Sequence, residues 1–109
     1  MIVNRRSALD GKVAIITGAS SGIGEATARE LAQGGAITVL AARRVERLER
    51  LGKEIREIGG RALAVPTDIT KQEQITNLVQ TTLTKFGRID ILANIAGWAV
   101  YDWFEELSP

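Results

Sequence analysis

A glycine-rich segment between an apolar run and a helical pattern constrains the fold of this chain more than any other feature. Residues 12–17 (KVAIIT) are almost wholly apolar and rich in β-branched side chains, which is typical of a strand covered on both faces. Residues 18–24 (GASSGIG) follow, and a helix is predicted over 22–33, ended by Gly34 and Gly35. Glycines in such a strand–turn–helix unit allow a tight turn and a close approach of the backbone to a pyrophosphate at the helix N-terminus. The segment therefore predicts nucleotide binding.

The rest of the chain continues the alternation of strands and helices. A strongly amphipathic pattern predicts a helix over 43–58, and Thr70 with Glu73 three residues later predicts a capping box that opens a helix ended by Gly87. Short apolar runs predict strands over 37–41, 62–65 and 89–93. Strands that alternate with crossover helices indicate a parallel sheet with right-handed connections.

The composition excludes several classes of function. Hydrophobic residues are 45% and charged residues 25% of the chain, as in ordinary globular domains, and the net charge of +1 favours binding neither to nucleic acid nor to an anionic membrane. The chain has no cysteine and no histidine, which excludes Cys/His zinc sites and thiol or imidazole catalysis. Residues 1–6 do not resemble a secretory signal, and no apolar stretch is long enough to span a bilayer, so we expect a cytoplasmic protein.

Four segments together resemble the N-terminal part of the classical short-chain dehydrogenase/reductase family. Residues 17–24 (TGASSGIG) have its G-x-x-x-G-x-G spacing, and Asp68 matches its acidic residue after the third strand. Residues 94–97 (NIAG) are similar to its Asn-Asn-Ala-Gly segment, and residues 90–92 (DIL) just before them are also typical. The resemblance runs from about Gly11 to the end of the chain, with Ile95 in place of the second asparagine. How this isoleucine changes the local hydrogen bonding stays open.

The resemblance implies a set of cofactor-binding residues. Asp68 would contact the adenine ring, although it could instead cap the turn or helix that follows. The whole set comprises Gly18, Ser20, Ser21, Gly22, Ile23, Gly24, Arg43, Arg44, Asp68, Ile69, Asn94, Ala96 and Gly97.

The end of the second strand bears on which nicotinamide cofactor is bound. An NAD-selective site has an acidic residue there, which accepts hydrogen bonds from the ribose hydroxyls. By the family resemblance that position is Ala42, followed by Arg43 and Arg44. Without the carboxylate nothing repels a 2′-phosphate, and a guanidinium can bind it with two charge-assisted hydrogen bonds. We expect NADP(H) to be preferred over NAD(H), the alternative being that both arginines are merely solvated.

The family's catalytic residues have no counterpart in this sequence. The family uses a Tyr-x-x-x-Lys pair with an upstream serine, and an asparagine after the fourth strand, for proton transfer to a carbonyl/hydroxyl substrate. The only tyrosine, Tyr101, is followed four residues later by Glu105 and comes too early in the fold. No catalytic residue is assigned, and we expect this chain to be inactive alone. It would be the N-terminal portion of a longer oxidoreductase, a non-catalytic nucleotide-binding module, or an assembly piece that needs a partner chain.

The fold expected from these patterns is a Rossmann-type α/β fold, with an open parallel sheet of order 3-2-1-4, helices on both faces, and truncation after the fourth strand. Residues 1–10 would be a tail, residues 11–97 the dinucleotide-binding unit, and residues 98–109 an aromatic segment leading to a missing second half. That segment holds four of the five aromatic residues. Self-association is expected through it or through the exposed fourth strand, unless the segment folds back over that strand.

Overall fold

The computed structural model describes residues 9–95, in which four parallel strands alternate with three helices. The sheet has the order β3-β2-β1-β4, so the predicted Rossmann-type topology is confirmed. In chain order the elements are β1 (Val13–Thr17), α1 (Gly22–Gln33), β2 (Ile37–Ala42), α2 (Val45–Glu57), β3 (Arg61–Pro66), α3 (Gln72–Phe86) and β4 (Ile91–Asn94).

The core consists of two layers, one on each face of the sheet. Alternate residues of β1 and β2, such as Ile16 and Leu40, pack against α1 and α2, which contribute Ala28, Leu48 and Ile55. The intervening residues of the same strands face α3 and its buried Leu78. Because both faces are covered, all residues of β1 and β2 are buried, which explains their continuous apolar runs.

Helix α2 begins two residues later than predicted. Arg44 is the N-cap residue in an extended conformation and makes no side-chain capping bond, and Arg43 precedes it. A guanidinium has no acceptor atom with which to cap a helix N-terminus, so neither arginine marks the start of the helix. The amphipathic pattern of the sequence therefore includes two residues that precede the helix. Both arginines therefore lie on the connection after β2 rather than within the helix.

Strand β4 also differs from its prediction, since it covers Ile91–Asn94 and not residues 89–93. The backbone N–H of Asp90 donates to the Val13 carbonyl at 2.8 Å, and one carboxylate oxygen of Asp90 accepts from the Val13 N–H at 2.8 Å. Asp90 thus pairs with β1 partly through its side chain, and regular strand geometry begins only at the next residue.

The predicted capping box at Thr70 and Glu73 is wrong. Helix α3 begins at Gln72 with Lys71 as its N-cap residue, and Lys71 makes no side-chain capping bond. The hydroxyl of Thr70 donates instead to the Asp68 carboxylate at 2.7 Å. Because α3 begins one residue later than a cap at Thr70 would require, Thr70 precedes the N-cap position and its hydroxyl is oriented by Asp68. Within residues 9–95, no helix has the length and apolar character needed to cross a membrane.

Candidate functional site

The loops that follow β1, β2 and β3 meet at the carboxyl edge of the sheet and enclose a cleft of about 330 Å³. In open parallel sheets ligands bind at this edge, next to the point where the strand order reverses, which here lies between β1 and β4. The cleft is lined by nine residues, six of which belong to the predicted cofactor-binding set: Gly18, Ser20, Arg43, Arg44, Asp68 and Ile69. Ala42, Thr67 and Thr70 complete the lining.

The glycine loop, residues 18–24, forms the wall of the site that continues from β1. Gly18 has a φ of 68°, a conformation that disfavours other residues. A Cβ on Gly24 would overlap the carbonyl oxygen of Gly18, so the first turn of α1 packs directly on the loop. At Gly22 an added Cβ would have no neighbour within 4 Å. The space beside Gly22 is therefore open to a ligand.

The N-terminus of α1 is only partly capped from within the chain. The Ser21 hydroxyl accepts the Gly24 N–H at 3.0 Å and donates to the Gly18 carbonyl at 2.8 Å, while the Glu25 N–H bonds to the Ser21 carbonyl. Within residues 9–95, the N–H groups of Gly22 and Ile23 have no acceptor. Two amides at a helix N-terminus, next to open space, are suited to an anion.

Three arginines lie near the start of α2. Arg43 and Arg44 are exposed and line the cleft, directly after the buried Ala42. Arg47, which the sequence analysis did not identify, donates from Nη1 to the Ser20 carbonyl at 3.5 Å and so reaches the glycine loop. Its position in the first turn of α2, close in sequence to Arg43 and Arg44, is the signal that could have identified it. The cleft thus has a positively charged rim at the end of β2.

Asp68 lies on the opposite wall, after β3, and its carboxylate is held by Thr70. The N–H and the hydroxyl of Thr70 both donate to the Asp68 Oδ1, at 3.0 and 2.7 Å. These two bonds, together with the positive charges of Arg43 and Lys71, hold the pKa of Asp68 below its ordinary value. The Asp68 N–H donates to Gln74 Oε1 at 2.7 Å. Sequence reasoning missed the roles of Thr70 and Gln74, although an aspartate side chain often accepts the backbone N–H two residues later in a turn.

The remaining predicted residues lie beside the cleft or beyond the described part of the chain. Asn94 is the register partner of Thr17, and its Oδ1 accepts from the Thr17 hydroxyl at 2.9 Å, at the carboxyl ends of β4 and β1. Ile95, in place of the family's second asparagine, packs partly buried against the core layer under α1 and α2. Ala96 and Gly97 lie outside the residues that the structure describes.

Comparison with known proteins agrees with this geometry. The sequence profile of a family described as short chain dehydrogenase matches residues 12–109. This chain belongs to the short-chain dehydrogenase family. An uncharacterized oxidoreductase of Listeria innocua is 49% identical over 89 residues, which make up 82% of this chain and 36% of that protein.

Two solved structures of the family are similar and contain cofactor. The L-sorbose reductase of Gluconobacter frateurii, complexed with NADPH and L-sorbose, is 44% identical with a TM-score of 0.78 over 83% of this chain and 35% of that one. A metagenomic short-chain oxidoreductase in complex with NADP is 42% identical with a TM-score of 0.75 over 78% of this chain and 38% of that one. The chain therefore spans little more than a third of the length of these relatives.

Proposed function

We propose that this chain is the NADP(H)-binding portion of a short-chain dehydrogenase that transfers hydride between NADP(H) and a carbonyl/hydroxyl substrate. The observation that carries the proposal is the cleft, where the glycine loop, two arginines and Asp68 meet at the ends of three adjacent strands. Hydride transfer is the chemistry of the cofactor, and residues 11–97 would bind and orient it. The substrate-binding and proton-transferring groups would belong to another part of the protein.

The pyrophosphate of the cofactor fits the N-terminus of α1. The amides of Gly22 and Ile23, which have no acceptor within residues 9–95, would donate to its oxygens. The open space at Gly22 allows the phosphates to approach the backbone, and Ser20 lines the adjoining cleft. Ser21 would act mainly by capping α1, since its hydroxyl already bonds to Gly18 and Gly24. Asn94, together with Ala96 and Gly97 outside the described residues, completes the proposed set of cofactor-binding residues.

The adenosine half fits the cleft between the ends of β2 and β3. Arg43 and Arg44 would bind the 2′-phosphate, and the small Ala42 leaves no carboxylate at the end of β2 to repel it. Asp68 and the backbone of Ile69 would contact the adenine ring from the other wall. The NADP and NADPH complexes of the two similar structures support the binding of a nicotinamide dinucleotide, and the proposed preference for the phosphorylated form rests on the two arginines.

The half-buried edge strand β4 supports a further proposal about assembly. In the absence of a neighbouring strand, its free edge would pair with a second copy of this chain or with another chain. The aromatic segment at residues 98–109, which lies outside the described residues, would take part in the same contact. We propose a cytoplasmic location as well, because a chain without cysteine is compatible with a reducing compartment.

Substitution of Gly22 tests cofactor binding at the glycine loop. We expect Gly22→Val to abolish NADPH binding, because its side chain would occupy the space of the pyrophosphate while meeting no atom of the protein near its Cβ. Fluorescence titration with NADPH measures binding, and circular dichroism checks that α1 remains folded. Ala26→Val, at an exposed position one turn further along α1, is the matched control for placing a β-branched residue in this helix. Unchanged affinity in Gly22→Val would mean that the loop has only a structural role.

A further inference from the structure

Thr70 binds the Asp68 carboxylate in an asymmetric way. Both of its donors, the backbone N–H at 3.0 Å and the hydroxyl at 2.7 Å, bond to the same oxygen, Oδ1. Within residues 9–95, Oδ2 has no hydrogen-bond donor. Both residues line the cleft. One carboxylate oxygen is thus fixed by the protein, and the other is left for a ligand.

The backbone around Asp68 is held as well. Its N–H donates to Gln74 Oε1 at 2.7 Å, and its carbonyl accepts the Lys71 N–H at 3.0 Å. With the backbone tied at both ends, the orientation of the carboxylate depends on the side-chain torsions of Asp68. Of the two Thr70 bonds that restrain these torsions, the hydroxyl bond is the one that a substitution can remove.

We propose that Thr70 is a positioning residue for nucleobase selection, holding Asp68 so that its Oδ2 accepts a hydrogen bond from the exocyclic amino group of a 6-aminopurine. The inference rests on the proposed function, since it concerns the adenine end of the same cofactor. A 6-oxopurine such as hypoxanthine presents a carbonyl oxygen at that position, which cannot donate and would face the carboxylate with a lone pair. The asymmetric bonding by Thr70 would therefore favour adenine over hypoxanthine nucleotides.

The pKa of Asp68 also depends on Thr70, so the pH dependence of NADPH binding can report on this contact. Arg43 from the β2 side and Lys71 from the same loop both lower the pKa of Asp68, but the largest contribution comes from the Thr70 hydroxyl. Removing this hydroxyl should move the pKa up towards its ordinary value. Because the ionised carboxylate is the acceptor for the amino group, NADPH affinity should then begin to fall at a higher pH than in the wild type.

The test compares two nucleotides against three proteins. NADPH and its hypoxanthine analogue are titrated calorimetrically into the wild type, Thr70→Val, which keeps the shape but loses the hydroxyl, and Thr70→Ser, which keeps the hydroxyl. We expect the wild type to bind NADPH about tenfold more tightly than the analogue, and Thr70→Val to weaken NADPH by about tenfold and the analogue by less than about twofold. Thr70→Ser should keep the wild-type preference. Equal weakening of both nucleotides by Thr70→Val would overturn the inference, because a purely structural role predicts that result.

A pH series of the NADPH titrations completes the experiment. The pH at which NADPH affinity begins to fall on acidification should be higher in Thr70→Val than in the wild type, and unchanged in Thr70→Ser. Protonation of the adenine base also lowers affinity in acid, but it does so equally in all three proteins. A Thr70→Val profile that coincides with the wild type would contradict the inference. If the wild type bound neither nucleotide, the proposed function would fail and this inference with it. Wild-type binding with a preference that Thr70→Val leaves unchanged would overturn the inference alone.

Discussion

The three glycines of the loop at residues 18–24 meet three different physical requirements. Gly18 has a positive φ, and Gly24 lies so close to the Gly18 carbonyl that no side chain fits between them. Gly22 has neither constraint, and the space at its Cβ position is open. The folded chain alone accounts for the first two glycines, whereas the third meets a requirement of the proposed cofactor, whose pyrophosphate would need the open space beside it.

We expect Gly24→Ala to destabilise the fold. Its Cβ would overlap a backbone carbonyl, and the backbone shift needed to relieve that contact should cost about 1–3 kcal/mol. The measurement is urea unfolding followed by circular dichroism. Gly22→Ala is the matched control, for which the unfolding midpoint should be unchanged or slightly raised. A Gly24→Ala midpoint equal to that of the wild type would show that α1 does not pack on Gly18 as described.

Motif residues could be predicted from the sequence, but the bonds that orient them could not. Six residues of the predicted cofactor set line one cleft, because their positions depend only on which strand they follow. The partners of Asp68 depend on side-chain geometry within its loop, and the capping pattern at Thr70 predicted a bond to the helix instead of one to Asp68. Arg47 was missed for the same reason, since its side chain reaches from α2 to the glycine loop, which is distant in sequence.

At the level of elements, Asp90 joins the start of β4 to the start of β1. Its carboxylate accepts two hydrogen bonds from the Arg88 guanidinium, at 2.7 and 2.8 Å, and one from the buried Val13 N–H. The bonds from Arg88, followed by that from Val13, hold the pKa of Asp90 below its ordinary value. These bonds also explain why β4 begins later than its apolar pattern predicts. A sequence pattern does not show when a side chain replaces the backbone in strand pairing.

The lowered pKa of Asp90 predicts a pH dependence of stability. A carboxyl group with a lower pKa in the folded state stabilises the fold above its unfolded pKa of about 3.9, and that contribution is lost as the pH falls through the folded pKa. We expect Asp90→Asn to lower the urea midpoint at neutral pH and to reduce its decline in acid. Glu49→Gln, on the exposed side of α2, removes the same charge as a control. A parallel pH profile for Asp90→Asn and the wild type would contradict this role.

At the scale of the whole molecule, the alternation of strands and helices predicted a parallel sheet, and the family resemblance implied its strand order. Neither predicted what covers the edges of the sheet. Parallel strands with single crossover helices allow few arrangements, and the observed β3-β2-β1-β4 order is one of them. All four residues of the edge strand β4 are only partly buried, and Leu83 on α3 is 44% exposed. What covers these groups depends on chain segments or partners that lie outside residues 9–95.

We expect this 109-residue chain to self-associate at micromolar concentration, because within residues 9–95 no strand pairs with the outer edge of β4, and such an edge is a template for pairing with another strand. Sedimentation velocity over a range of concentrations should show a species larger than the monomer that dissociates on dilution. The double variant Trp103→Ser/Phe104→Ser, in the segment outside the described residues, separates a contact through β4 from one through the aromatic segment. A wild type that stays monomeric at every concentration, with both tryptophans quenched as buried residues are, would show that the chain shields its own edge.

The central claim, that the cleft binds NADP(H) through the arginines after β2, is tested most directly by calorimetric titration of NADPH and NADH. The proteins are the wild type, Arg43→Ala, and Arg50→Ala as a control at an exposed position further along α2. We predict that the wild type binds NADPH more tightly than NADH, and that Arg43→Ala weakens NADPH by roughly 10–100-fold through loss of charge-assisted bonds, with little effect on NADH. Arg50→Ala should match the wild type. Equal affinities for the two cofactors in the wild type, or equal weakening of both in Arg43→Ala, would contradict the account.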